Sequence, residues 1–102
     1  MRFRVAFAPR AEADLKGIFD HVRSRSGEAR ARDTIAKLHA HCLGFDRFPE
    51  RGVRRDAIRH GVRIVGFKRQ ATIAFTVRGR DVVILRVIYG GRNVDGVLAE
   101  GE

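Results

Sequence analysis

Several things are scarce in this sequence, and each scarcity excludes something. Among 102 residues there is one cysteine, Cys42, so no disulfide can form within the chain, which suits a reducing compartment. No apolar run approaches the roughly 20 residues of a membrane-spanning helix. Charges interrupt the opening stretch MRFRVAFAPRAEADL at once and leave no hydrophobic region of a signal peptide. The expectation is a cytoplasmic protein with no membrane partner. Repeats, linkers and low-complexity segments are also absent, and the length suits one domain over residues 1–102.

Carboxylates are scarce too. Twelve Asp and Glu stand against 21 Lys and Arg, for a net charge of +9. The basic set is itself lopsided, with 18 Arg and 3 Lys. Arginine presents a planar fork that grips phosphates and carboxylates through two nitrogens, where lysine presents a point charge. A GC-rich genome would raise Arg over Lys, but it would not remove Asp and Glu. The net charge therefore points to a partner, either a nucleic acid or an acidic protein.

What is present is a patterned 44% of hydrophobic residues, enough for a core. Residues 2–8, RFRVAFA, alternate: Phe3, Val5 and Phe7 point one way, which predicts a half-buried strand. Pro9 ends it and suits the first turn of a helix. From there Ala11, Leu15, Ile18, Phe19 and Val22 form a helical stripe, with Glu12, Asp14 and Lys16 off it. The stretch SRSG at 24–27 breaks this helix. A second begins near Glu28 with a stripe of Ala31, Ile35, Leu38, Cys42 and Phe45, and Pro49 stops it. Two helices with so short a link predict an antiparallel hairpin.

The following polar connection, FPERGVRRDAIRHG, admits a short strand near Ala57 and Ile58. Three strands are then predicted, at 62–68, 71–78 and 81–89, joined by the hairpin-length links RQ and GR. The order gives an α+β fold: an N-terminal strand, a helical hairpin on one face of a mostly antiparallel sheet, and a C-terminal three-stranded meander. The tail from about 94 reads as loose.

The strand DVVILRVIY carries an arginine at its centre. Strict alternation puts Val83, Leu85, Val87 and Tyr89 toward the helices, and Val82, Ile84, Arg86 and Ile88 on the uncovered face. Arg63 joins that second face. A shallow, partly apolar surface studded with arginine fits a partner. The alternative is an internal ion pair of Arg86 with a carboxylate such as Asp56 or Asp81.

Three stretches are similar to the ParE branch of the RelE/ParE toxins of bacterial type II toxin–antitoxin systems. FAPRAEADLKGIFDHV resembles the family's strand end and Pro-x-Ala-x-x-Asp-Leu helix start. LHAHCLGFDRFPERGVRRDAIRHGVRIVGFKRQATIAFTV resembles its Leu-x-x-x-Pro-x-x-Gly passage, with Phe45 in place of the leucine, and its Gly-x-Arg entry to the strand pair at Gly61, Val62 and Arg63. VVILRVIYGGRN resembles its Arg-Val-x-His-Gly-x-Arg-Asp ending. The resemblance implies a toxin that inhibits DNA gyrase, serves plasmid stabilization, and is neutralised by a ParD-like antitoxin whose acidic C-terminal segment wraps it. It implies no cofactor. Operator DNA is expected to be met only through the antitoxin complex, since neither helix reads as a recognition helix.

The related RelE toxins cut mRNA on the ribosome, and that is the alternative activity. Cleavage through a 2′-hydroxyl needs a base, an acid and cations at the phosphate. Arg63, Arg86 and Arg92 offer the cations, and they are also the expected antitoxin- or target-binding residues. The acid–base candidates are weaker. Tyr89 stands where related endings often carry histidine and is expected to pack in the core; His60 reads as a solvated loop residue. His21 lies at the edge of its helix face. The sequence therefore favours a toxin that is not an enzyme. His39, His41 and Cys42 do not make a metal set: His39 and Cys42 share a helix face, His41 points away, and Cys42 lies on the apolar seam.

Overall fold

A computed structural model describes residues 2–90 and 94–99. The chain begins with strand β1, Arg4–Phe7, whose exposure alternates as its sequence does. Ala8 stays extended ahead of Pro9, as a residue before proline prefers, and Pro9 opens helix α1, Pro9–Ser26. Gly27 alone separates α1 from helix α2, Glu28–Leu43. Its φ of 91° is what lets the chain reverse in one residue, and its N–H closes α1 on the Arg23 carbonyl at 2.9 Å. A short 3₁₀ turn, Gly44–Asp46, carries Phe45 inward.

Four further strands follow: β2 (Val53–Arg54), β3 (Arg63–Phe67), β4 (Ala71–Arg78) and β5 (Asp81–Tyr89). The sheet order is β1-β5-β4-β3-β2, antiparallel throughout except for β1 beside β5, which is parallel. The expected strand, hairpin and meander are all present. The short strand lies at Val53–Arg54 rather than near Ala57 and Ile58, where the chain turns instead. The β3–β4 turn places Lys68 and Arg69 at φ of 49° and 58°.

The hairpin covers one face of the sheet. Ala11, Ile18 and Val22 of α1, Ala31, Leu38 and Cys42 of α2, and Phe45 meet Ile73, Phe75, Val82, Ile84 and Val87 from the strands. Phe45 is fully buried, with its ring 4.8 Å from that of Phe75. Burial of such a side chain contributes about 1.5–3 kcal/mol. The opposite face is partly covered as well. Val94–Ala99 form a third helix, α3, whose Leu98 packs with Val62, Ala74 and Leu85. The expectation of a loose tail is corrected there: Val97 and Leu98 supply enough apolar surface to seat one and a half turns of helix.

The two faces of β5 do not follow strict alternation. Ala74 pairs with Arg86 while Phe75 pairs with Ile84, so Leu85 is an extra residue, a bulge. On either side of it the parity changes. Val82 and Ile84 face the hairpin, as do Val87 and Tyr89, while Val83 and Leu85 join the α3 side. The expected face assignment is thus right beyond the bulge and inverted before it.

Candidate functional site

β1 is four residues long and β5 nine, and this mismatch creates the site. β1 pairs with β5 only as far as Ile84, and the Ala8 N–H makes the last bond, 2.8 Å from the Ile84 carbonyl. Pro9 has no N–H to continue, and the chain turns away into α1. From there on α1, not a strand, stands beside the outer edge of β5.

Asp14 of α1 fills the first gap along that edge. Its Oδ2 accepts hydrogen bonds from the Val87 N–H at 2.9 Å and from Arg86 Nε at 2.8 Å, and its Oδ1 accepts one from Arg86 Nη2 at 3.0 Å. Arg86 is 8% exposed. Its fork therefore faces an internal carboxylate, and the partner-facing placement read from alternation is corrected. The physical reason is the short β1, which leaves the outer edge of β5 open beyond Ile84, so that Asp14 of α1 stands there within reach of the fork. The partner is neither Asp56 nor Asp81. Asp81 takes Arg4 at 2.9 Å. Asp56 accepts the Gly61 N–H at 2.8 Å and pairs with Arg54, and these contacts, the backbone one foremost, hold its carboxyl below the ordinary value.

Beyond Asp14 the edge opens into a groove of about 530 Å³, lined by Ala13, Gly17, Ile18, His21, Val87 and Tyr89 among others. Gly17 leaves the wall open: no atom lies within 4 Å of where its Cβ would stand. The His21 and Tyr89 rings meet edge to face at 6.1 Å and close the far end. Backbone groups on one edge of a strand recur at every second residue, so Tyr89 turns its N–H and C=O the same way as Val87, into the groove.

The remaining candidates are dispersed. Arg63 lies half-buried on β3, two strands from Arg86 and in register with Arg54 on β2. Arg92 lies outside the described residues. His60 is exposed in the turn before β3. Its neighbour Gly61 accepts the Thr76 hydroxyl, whereas Tyr89 pairs with Ala71. Five residues of strand, about 17 Å, separate those two levels of the sheet. Tyr89 packs against the core, as expected, yet also lines the groove. Of the residues on α2, His39 stacks on Phe7 at 5.0 Å, and His41 lies between the rings of Phe45 and Phe67. Burial pushes the Cys42 thiol up to about 12. Among the described residues no three His, Cys, Asp or Glu side chains stand where they could hold a metal ion.

Two functional features escape the sequence reading, Asp14 and Gly17. Asp14 carries one signal: an arginine inside an aliphatic strand requires a buried carboxylate somewhere.

Known proteins bear on this geometry as follows. The family model for the ParE toxin of type II toxin-antitoxin system, parDE, matches residues 5–94. No curated protein matches the sequence. Among solved structures, a chain from the chromosomal ParDE TA system of P. aeruginosa superposes with a TM-score of 0.76 at 24% identity, over 86% of this chain and 96% of that one. A chain from the toxin-antitoxin complex RelBE2 of Mycobacterium tuberculosis superposes with a TM-score of 0.63 at 19% identity, over 90% and 95%. At these identities the two likenesses concern the fold.

Proposed function

The chain belongs to the ParE toxin family of type II toxin–antitoxin systems, and on that premise we propose that it inhibits DNA gyrase and is held inactive by a ParD-like antitoxin. The observation that carries the choice of gyrase over mRNA cleavage is the dispersal of the catalytic candidates among the described residues. A ribonuclease needs base, acid and phosphate-binding cations within reach of one phosphodiester. Here the Arg86 fork is engaged by Asp14, Arg63 lies two strands away, and His60 and Tyr89 sit at different levels of the sheet. A toxin that acts by binding does not need those groups to converge.

On this reading the antitoxin docks in the groove along β5. The groove offers apolar contacts at Ile18 and Val87 and an open strand edge at Tyr89. An extended segment can add to such an edge through its main chain while alternate side chains fill the pockets. An acidic segment would also be drawn by the net charge of +9.

The test is a purified gyrase assay on supercoiled DNA with ATP. The expected result is accumulation of cleaved DNA in the presence of the folded toxin. Intact DNA at high toxin excess, together with ribosome-dependent cleavage of transcripts, would transfer the protein to the mRNA endonucleases.

A further inference from the structure

The cations of this protein are not evenly satisfied. Arg2, Arg4, Arg23, Arg32, Lys37, Arg54 and Arg86 each have a carboxylate within ion-pair distance. Among the described residues Arg25, Arg30, Lys68 and Arg69 do not, nor do Lys16, Arg47, Arg51, Arg55, Arg63, Arg78 and Arg80, and the fold gathers the first four at one end of the molecule. Arg25 comes from the end of α1, Arg30 from the start of α2, and Lys68 and Arg69 from the β3–β4 turn. Two adjoining notches link Arg25, Arg30 and Lys68, and Arg69 follows Lys68 in the turn. Arg30, Thr34 and Gln70 line both, Arg25 joins in one, and Lys68 in the other. The carboxylate within this strip, Asp33, is taken by Lys37 at 3.0 Å.

Local propensity does not favour these residues at these positions. Arg30 stands in the first turn of α2, where the helix dipole disfavours a cation. Lys68 and Arg69 both hold positive φ, as the tight hairpin turn closed by the Gln70 N–H on the Phe67 carbonyl at 2.8 Å requires, but such turns favour Asn and Gly over Lys and Arg. Four like charges drawn from three elements repel one another. Strained, self-repelling groups on one surface mark a binding function.

We infer that this end of the molecule binds the sugar–phosphate backbone of duplex DNA. Beside Asp33, Phe67, Val22, His21 and Tyr89, the lining is guanidinium, ammonium, hydroxyl and amide, the set that contacts phosphate oxygens. Its apolar members Phe67 and Val22 are buried in the core and offer little anchoring surface, and lysine is depleted in protein interfaces. The phosphate contact rests on the geometry alone; the choice of DNA over RNA rests on the gyrase reading. Such a contact carries no sequence preference and is distinct from operator recognition. It would let the toxin touch the DNA segment that gyrase holds.

The experiment measures the anisotropy of a short labelled duplex titrated with the full-length toxin at several salt concentrations, with no gyrase present. One variant combines Arg25→Ala, Arg30→Ala, Lys68→Ala and Arg69→Ala. A control combines Arg47→Ala, Arg78→Ala and Arg80→Ala at the other end of the sheet, and circular dichroism verifies that both fold. The patch variant is expected to bind more than about tenfold more weakly, with a salt slope shallower by about 3, and the control to change by less than about twofold. Equal loses in the two variants, or no binding by the native chain, would overturn the proposal. So would equal competition by poly-glutamate, which would assign the patch to an acidic protein, or tighter binding of an RNA hairpin. A chain that binds DNA through the patch yet leaves gyrase unaffected would refute the gyrase reading and leave the phosphate contact standing.

Discussion

Asp14 and Arg86, 72 residues apart in the chain, meet through two hydrogen bonds of 2.8 and 3.0 Å in a site where each side chain is about nine-tenths buried. The same carboxylate holds the Val87 N–H, so one side chain neutralises a buried cation and satisfies a strand edge. Replacing Asp14 by alanine would take this carboxylate from both. The expected cost is about 3–5 kcal/mol, read from urea unfolding followed by circular dichroism. Removing both charges, as Asp14→Ala with Arg86→Met, should recover part of that loss, giving a coupling energy of about 1–3 kcal/mol. A cost below about 1 kcal/mol for Asp14→Ala would show that the pair is not structural.

The placement of the antitoxin predicts an effect at Gly17. A tryptophan there enters the groove without meeting any atom within 4 Å of its Cβ, on an exposed turn of α1. Gly17→Trp should therefore leave the melting temperature unchanged or raise it, since glycine is the poorer helix former. Antitoxin affinity, measured by titration calorimetry, should fall by more than about tenfold, which is about 1.4 kcal/mol. Unchanged affinity would move the docking site away from the β5 edge.

His41 gives a pH dependence. Its ring lies against Phe45 and Phe67, and its Nε2 is buried with no hydrogen-bond partner among the described residues. Burial, aided by the nearby Arg51 charge, holds its pKa below the ordinary 6.5. The unfolded chain therefore binds the proton more readily than the folded one. The stability that this contributes is fully present above 6.5 and is lost as the pH falls through the lower folded value. Urea midpoints measured on either side of 6.5 should show the decline. His41→Leu should flatten this part of the profile, and an equal decline in that variant would assign it to another group.

The sequence makes local features of this fold legible and hides the distant ones. Period-two alternation at 2–8 and 71–78 and the helical stripes of Ala11 to Val22 and Ala31 to Phe45 depend on neighbours in the chain, and the elements appear where the pattern puts them. The bulge at Leu85 is invisible in VVIL, because both faces of that strand are apolar and a one-residue slip leaves no mark. Its consequence, the inverted facing of Val82 to Leu85, is hidden with it, and the Asp14–Arg86 pair is hidden because it joins residues 72 positions apart. The two-residue β2 is too short to carry a period. Helix α3 had a trace in Val94, Val97 and Leu98, three and four residues apart, but Gly96 and its short length mask it. The groove needs a length mismatch between β1 and β5, which no local window contains.

The parallel contact between β1 and β5 also sets an order of events in folding. The hairpin and the meander are built from neighbours and can form early, but β1 has no strand to pair with until residues 81–84 exist. Closing so long a loop is slow compared with forming a helix or a turn. Until then the edge that defines the groove does not exist. The surface proposed to receive the antitoxin is thus among the last parts of the molecule to take shape, so a nascent chain presents its exposed strand edges before it presents its binding groove.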